Sequence, residues 1–412
     1  MNFKKTRFAC YFSNIAMSSV FALPPILFVT FRQMYGISYT LLGTLVLTNF
    51  CTQLMIDLVF TFFAKYFDIH KTIRIMPLLT SLGWIVYATV PMLFPKYAYA
   101  GMLVGTVIFS VAAGLCEVLV SPTIAAMPSN NPERDMSLLH SLYAYGVVLV
   151  VLISTVFLKL FGTHNWMYLV YFWAVWPIVA AILFGISPLP DMQMGGNDNK
   201  KTDSKTGGLL LCVACIFLGG ASENAMTNWI SGYMENALGI SKAVGDILGL
   251  MLFAILLGIG RTLYAKYGKN ISNVLLFGMI GASICYLVAG LSTVPVVSML
   301  ACVLTGLCTS MLWPGTLILM EEKIPNIGVT AYALMAAGGD LGGSVAPQML
   351  GAVVDSVAAS DLAQKLETVF TPEQLGMKVG MLTAAVFPIL GTAVLIIIKR
   401  YFKKSGKCQG VK

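Results

Sequence analysis

Apolar stretches long enough to be helices fall near residues 8–31, 40–64, 76–94, 97–122, 136–160 and 167–188, and again near 207–234, 242–264, 270–291, 295–320, 329–356 and 378–400. A helix rises about 1.5 Å per residue, so roughly 20 apolar residues cross a hydrocarbon layer about 30 Å thick. The pattern therefore predicts an all-α membrane protein with twelve transmembrane helices. A polar interruption between the two sets runs from Pro190 through Gly195, Gly196, Asn197, Lys200 and Lys201 to Lys205. It is too polar to form a core and reads as a flexible linker. The expected organisation is a six-helix bundle over 1–188, a cytoplasmic linker over 189–206, and a second six-helix bundle with a short cytoplasmic tail over 207–412.

The two sets repeat one another. Gly36-Ile37-Ser38 precedes the second stretch and Gly239-Ile240-Ser241 the eighth; Ala64-Lys65-Tyr66 ends the second and Ala265-Lys266-Tyr267 the eighth. Gly114-Leu115-Cys116 with Pro122 recurs as Gly306-Leu307-Cys308 with Pro314. The matches keep their order at shifts of 203, 201 and 192 residues, as a duplicated six-helix unit would. Two parallel six-helix repeats about an axis along the membrane normal are an architecture of secondary transporters.

Composition agrees. Of 412 residues, 58% are hydrophobic and 11% charged, against about 25% charged in an ordinary soluble domain. The net charge of +8 reads as a topology signal and not as a nucleic-acid surface. If the N-terminus is cytoplasmic, 20 of the 26 Lys and Arg residues fall on the cytoplasmic side, leaving Arg32, Lys96, Lys159, Lys242, Lys365 and Lys378 opposite. Basic loops stay inside, so both termini are expected in the cytoplasm, with the chain in the inner (plasma) membrane. The first apolar run could be taken for a signal peptide, but it continues through Pro24-Pro25 to Thr30 with no small-residue cleavage pattern. The nine cysteines lie mostly within apolar stretches and behave there as small hydrophobes. Cys212-x-x-Cys215 has no second ligand pair, so no metal is expected.

Several segments resemble the major facilitator superfamily, and within it the fucose-permease-like group of sugar/proton symporters. They are Gly220-Ala221-Ser222-Glu223 with Trp229 and Tyr233; Leu139-His140 with Tyr143 and Gly146; Met311-Leu312-Trp313-Pro314; and Gly338-Gly339 with Pro347, Gly351 and Asp355. Two features depart from the family. The loop after the second span, normally Asp-Arg-x-Gly, reads Ala64-Lys65-Tyr66-Phe67 followed by Asp68, Lys71 and Arg74, although its second copy, Ala265-Lys266-Tyr267-Gly268, keeps the glycine. The first span offers Ser13, Asn14, Ser18 and Ser19 but no acid. The resemblance implies proton-coupled uptake of a sugar or similar small polar metabolite by alternating access, by a protein functional as a monomer in a lipid bilayer, with the proton in place of any cofactor. The competing expectation is a drug or metabolite/proton antiporter. Its Gly-Pro-x-x-Gly-Gly pattern is missing from the fifth span, which reads Gly146-Val147-Val148-Leu149-Val150-Val151.

Ionisable groups inside hydrocarbon are costly and concentrate at functional cavities. Asp57, Glu117, Glu223 and Asp340 are the acids so placed, with Arg261 as the one base. Glu117, which matches the family's fourth-span acid, is the first candidate for carrying a proton, followed by Asp340 and Asp57. Asn49, Gln53 and Asp57 recur every fourth residue on one face of the second span, where they either tie helices together or bind solute hydroxyls. Asn224, Asn228 and Ser231 make a similar stripe in the seventh span, beside Glu223 and Thr227. Tyr143, Tyr145, Trp229 and Trp313 could stack on the apolar face of a sugar ring, while Trp166 and Trp173 read as interfacial anchors. His140 and Arg261 are candidate gating residues. The glycines Gly338, Gly339, Gly342 and Gly343 flank Asp340 and read as a close helix contact, since no strand precedes them to make a phosphate loop.

Overall fold

The computed structural model describes residues 3–63, 66–129, 132–190, 206–324 and 329–409. The chain divides into two compact units, Met1–Gly196 and Asn197–Lys412. Residues 191–205 of the predicted linker, Asn197 among them, lie outside the described residues.

The first unit contains α1 (Lys4–Tyr35), α2 (Tyr39–Phe63), α3 (Ile69–Leu93), α4 (Ala98–Ala126), α5 (Pro132–Phe161) and α6 (Trp166–Gly185). Here α3 packs on α4 and α6, α1 on α5, and α2 on α4. The second unit begins with α7 (Thr206–Asn236), followed by α8 (Lys242–Gly245), which runs through a π-helical turn at Asp246–Met251 into α9 (Leu252–Tyr267). Then come α10 (Ile271–Leu291), α11 (Pro295–Thr309), α12 (Pro314–Lys323), α13 (Val329–Ala358), the short α14 (Asp361–Lys365), α15 (Pro372–Ala384) and α16 (Val386–Gln409). Its central contact is α7 against α13, with α11 packed on both α9 and α10.

Eleven helical stretches among the described residues are long and apolar enough to cross a membrane. The remaining long helix, α13, is diluted by its glycines and by Asp340. Helices overrun the apolar pattern where a polar cap extends them. For example, α3 begins at Ile69, seven residues before the predicted start, because the Asp68 side chain accepts from the Lys71 N–H at 3.1 Å and lets a basic turn form ahead of the apolar face.

The internal repeat has a structural counterpart in each unit. Gly36 and Gly239 both adopt left-handed backbone, with φ of 64° and 66°. That conformation is open to glycine and strained for other residues. In the first unit the Gly36 N–H closes α1 by donating to the Arg32 carbonyl at 3.0 Å. A side chain at Gly114 would meet Ile56 Cβ at 2.9 Å and Gln53 Cα at 3.2 Å, and one at Gly306 would meet the backbone of Phe253. The repeated Gly-Leu-Cys therefore marks where α4 closes on α2 and where α11 closes on α9.

Trp166 and Trp173 are not surface anchors. Trp166 is fully buried with its ring 4.8 Å from Phe31, in a cluster with Tyr87, and Trp173 donates to Ser154 Oγ at 3.0 Å. Packing of α6 against α1 and α3 covers both rings. Cys212 lies in an apolar cluster with Ile216, Met320, Ala331 and Met335, and Cys215 is buried beside the Thr316 hydroxyl.

Candidate functional site

Each unit holds a polar group of side chains inside its helices. In the first, the Gln53 amide donates to Asn49 Oδ1 at 3.0 Å and Ser110 Oγ donates to the same oxygen at 2.6 Å, with all three residues buried. The Asn49–Gln53 face of α2 is thus bound to α4, at the level where Gly114 permits close approach. One turn further along α2, the Asp57 carboxyl group lies within 4.8 Å of Glu117 on α4. The Asp57 oxygens are buried, whereas Glu117 is exposed and makes no ion pair among the described residues. An exposed acid within an apolar helix is costly against lipid.

In the second unit, Glu223 of α7 and Arg261 of α9 form an ion pair, with Arg261 Nη2 at 3.4 Å from Glu223 Oε1. The guanidinium is held separately, its Nε donating to the Ser310 carbonyl at 3.0 Å. Asn224 and Asn228 donate to backbone carbonyls of their own helix, those of Gly220 and Asn224. Trp313, half-buried, packs over Gly339 of α13 and reaches Gly220 of α7, where a Cβ would lie 3.3 Å from its ring. Asp340 follows Gly339 and is buried.

The sequence-predicted residues therefore separate. Asp57 with Glu117, and Glu223 with Arg261, come together as pairs. Asn49 and Gln53 are absorbed in the α2–α4 contact. Trp229 is 1% exposed and its indole donates to the Pro347 carbonyl at 3.0 Å, so the ring is buried between α7 and α13 and presents no face to a solute. Tyr143 is half-buried, edge-on to Phe21 at 5.7 Å. His140 belongs to α5, but its side chain lies outside the described residues.

Two charged groups escaped the sequence reading. Asp246, at the start of the π turn, accepts from Ser231 Oγ and pairs with Lys242 Nζ at 3.3 Å. Lys378 is buried and donates to the Ser292 carbonyl at 2.6 Å, beyond the end of α10. The sequence reading counts Lys378, like Lys242, as a loop charge because each stands at the first position of an apolar stretch, and it passes over Asp246 inside the stretch 242–264. The one available signal for Asp246 is helical spacing, since Lys242 stands four residues before it; Lys378, whose partner is Ser292, has none.

The profile of the Major Facilitator Superfamily matches residues 8–347, and the chain belongs to that superfamily. It is accordingly a multi-pass membrane transporter and not an enzyme. No curated protein is similar enough in sequence to match. Solved structures of similar fold include a bacterial homologue of the human lysosomal transporter Spinster, with TM-score 0.74, 13% identity and 97% of both chains covered. The D-xylose–proton symporter has TM-score 0.75 at 13% identity over 93% of this chain and 96% of that one. The E. coli fucose:proton symporter has TM-score 0.63 at 15% identity over 98% of this chain and 99% of that one. At such identities the likeness is one of fold.

Proposed function

We propose that this transporter takes up a small polar solute of sugar-like character together with protons, by alternating access. The observation that carries the proposal is the Asp57–Glu117 pair: two carboxyl groups within 4.8 Å of each other, inside one helical unit of a membrane protein. Like charges this close repel, and a proton on one of them is the simplest relief. Because Glu117 is exposed, water can deliver and remove that proton. In this reading Glu117 and Asp57 load it, and Asp340 is a second acid for the same task. Glu223, Asn224, Asn228 and Trp313 of the second unit offer the acceptors, donors and flat aromatic surface that a hydroxylated ring requires. Asn49 and Gln53 act indirectly, by fixing α2 against α4 beside the acid pair. The similar folds of the D-xylose–proton and fucose:proton symporters support the same reading.

The test is uptake into proteoliposomes of a panel of sugars, amino acids and nucleosides, with an inward proton gradient, an inward sodium gradient or neither. Accumulation is expected only with the proton gradient. Glu117→Gln, which mimics the protonated acid, should abolish gradient-driven accumulation and retain exchange of internal for external solute. Accumulation by Glu117→Gln equal to that of the parent would remove the pair from the coupling mechanism. Accumulation driven by sodium alone would replace the proton.

A further inference from the structure

The Glu223–Arg261 pair is anchored unusually. In a helix the Ser310 carbonyl would accept from the N–H four residues on, but that residue is Pro314, which has none. The chain breaks between α11 and α12 at this point, and the carbonyl left open is taken by Arg261 Nε at 3.0 Å. Gly260, next to Arg261, has no side chain and so allows the Ser310 side chain to approach. The guanidinium is therefore fixed by one edge through a neutral contact that does not involve Glu223.

Its other edge is poorly used. Arg–carboxylate pairs typically close to about 2.7–2.9 Å, often through two parallel hydrogen bonds. Here a single contact of 3.4 Å joins Arg261 Nη2 to Glu223 Oε1, and Nη1 has no hydrogen-bond partner among the described residues. The Arg261 side chain keeps 31% of its surface accessible. Glu223 Oε2 is buried and accepts no hydrogen bond among the described residues. A fork of donors and an unused acceptor thus stand side by side. The same helix break sets the Trp313 ring against Gly220, one turn before Glu223 on α7.

We propose that Arg261 is the docking group for a carboxylate carried by the transported solute, with Glu223 accepting from the solute's hydroxyl groups. The substrate class is then a small hydroxylated acid of the sugar-acid type, bound with its apolar face towards Trp313. The inference rests on the reading that a sugar-like solute meets the second unit, and it adds the negative charge. Because an arginine fork recognises a carboxylate through two parallel bonds, lysine is a partial substitute for it and glutamine a poor one.

The experiment is solute exchange in proteoliposomes at one fixed pH, with no gradient, comparing gluconate, glucuronate and galacturonate with glucose and galactose. The acids are expected to compete at concentrations at least about tenfold lower than the neutral sugars. Arg261→Gln should erase that preference and Arg261→Lys should keep part of it. Glu223→Gln, which removes the competing charge and keeps an acceptor oxygen, should tighten acid binding by about threefold to tenfold and move the neutral sugars less. Thermal unfolding of each variant separates lost binding from lost folding. Should Arg261→Gln fail to fold, the preference of the parent and its response to Glu223→Gln still decide the matter. Exchange of neutral sugars as readily as their acids, or a preference that survives in a folded Arg261→Gln, overturns the inference and leaves the sugar reading standing. Exchange of neither class overturns both.

Discussion

Asp246 is 1% exposed, accepts from Ser231 Oγ and lies 3.3 Å from Lys242 Nζ, whose side chain is itself only 14% exposed. Removing one member of a buried pair strands its partner's charge, at a cost of about 3 kcal/mol, here an upper bound because Glu235 also acts on Lys242. Asp246→Asn should therefore lower thermal stability in detergent by up to that amount. Joining it to Lys242→Met should restore most of the loss, because the second change removes the stranded charge. An Asp246→Asn protein that melts with the parent would mean that the pair is solvated. The sequence could not disclose this group: four residues separate the partners, but nothing in the chain says that Ser231 of α7 folds over them. The polar residues it did disclose were read by face and not by partner. The Asn49–Gln53–Asp57 stripe was legible as helix contact or binding surface, and only Ser110 and Glu117, both from α4, show that its first part is contact and its last part an acid pair. Likewise Glu223 and Arg261 were each visible as intramembrane charges, whereas their pairing depends on which helix α7 meets.

Among the elements, the apolar pattern located the long helices because the cost of leaving backbone groups unpaired in hydrocarbon forces each span to be helical. It placed their ends less well, since ends are set by caps that hydropathy ignores. Asp68 at the start of α3 is such a cap, and its protonation state is open to test. Its carboxyl is held below the ordinary carboxylate range, chiefly by the hydrogen bond from the Lys71 backbone N–H and further by the Lys71 ammonium. A group that folding makes more acidic contributes stability above its unfolded pKa, near about 4, and loses it as pH falls through the lower folded value. The parent should therefore melt above Asp68→Ala at pH 7, with the gap closing as pH falls below about 4. Asp68→Asn, which keeps the cap without the charge, should stay close to the parent at pH 7 and show little of that pH dependence. A gap between parent and Asp68→Ala that stays constant through the acid range would mean that the carboxylate charge contributes nothing to the cap. The repeated Gly-Ile-Ser was informative for a related reason: left-handed backbone at a helix end selects glycine, so Gly36 and Gly239 could be paired from sequence alone. The π turn at Asp246–Met251 had no such marker.

For the whole molecule, the orientation in the membrane follows from where free positive charge resides. The sequence places six basic residues opposite the cytoplasmic set of 20, and the structure reduces that smaller group further. Lys242 is paired with Asp246 and Lys378 is buried against the Ser292 carbonyl, so neither contributes a free loop charge. Arg32 is half-buried with its guanidinium 4.1 Å from the centre of the Tyr39 ring. Lys96, Lys159 and Lys365 remain exposed on that side. Basic residues are held back in the cytoplasm, so the ends of α1, α3, α5, α7 and α10 should face outward, and those of α2, α4, α6 and α9 inward. The check is labelling of single cysteines in intact cells with a membrane-impermeant maleimide, after replacing the exposed Cys51 with serine to lower the background. Cysteines at Gln33, Thr163 and Ser241, all exposed, should react from outside. Those at Tyr66 and Asn270, exposed at the other ends of the helices, should react only once the membrane is opened. The reverse pattern would invert the protein, and a proton reaching Glu117 from outside would then have to enter from the opposite end of its helix.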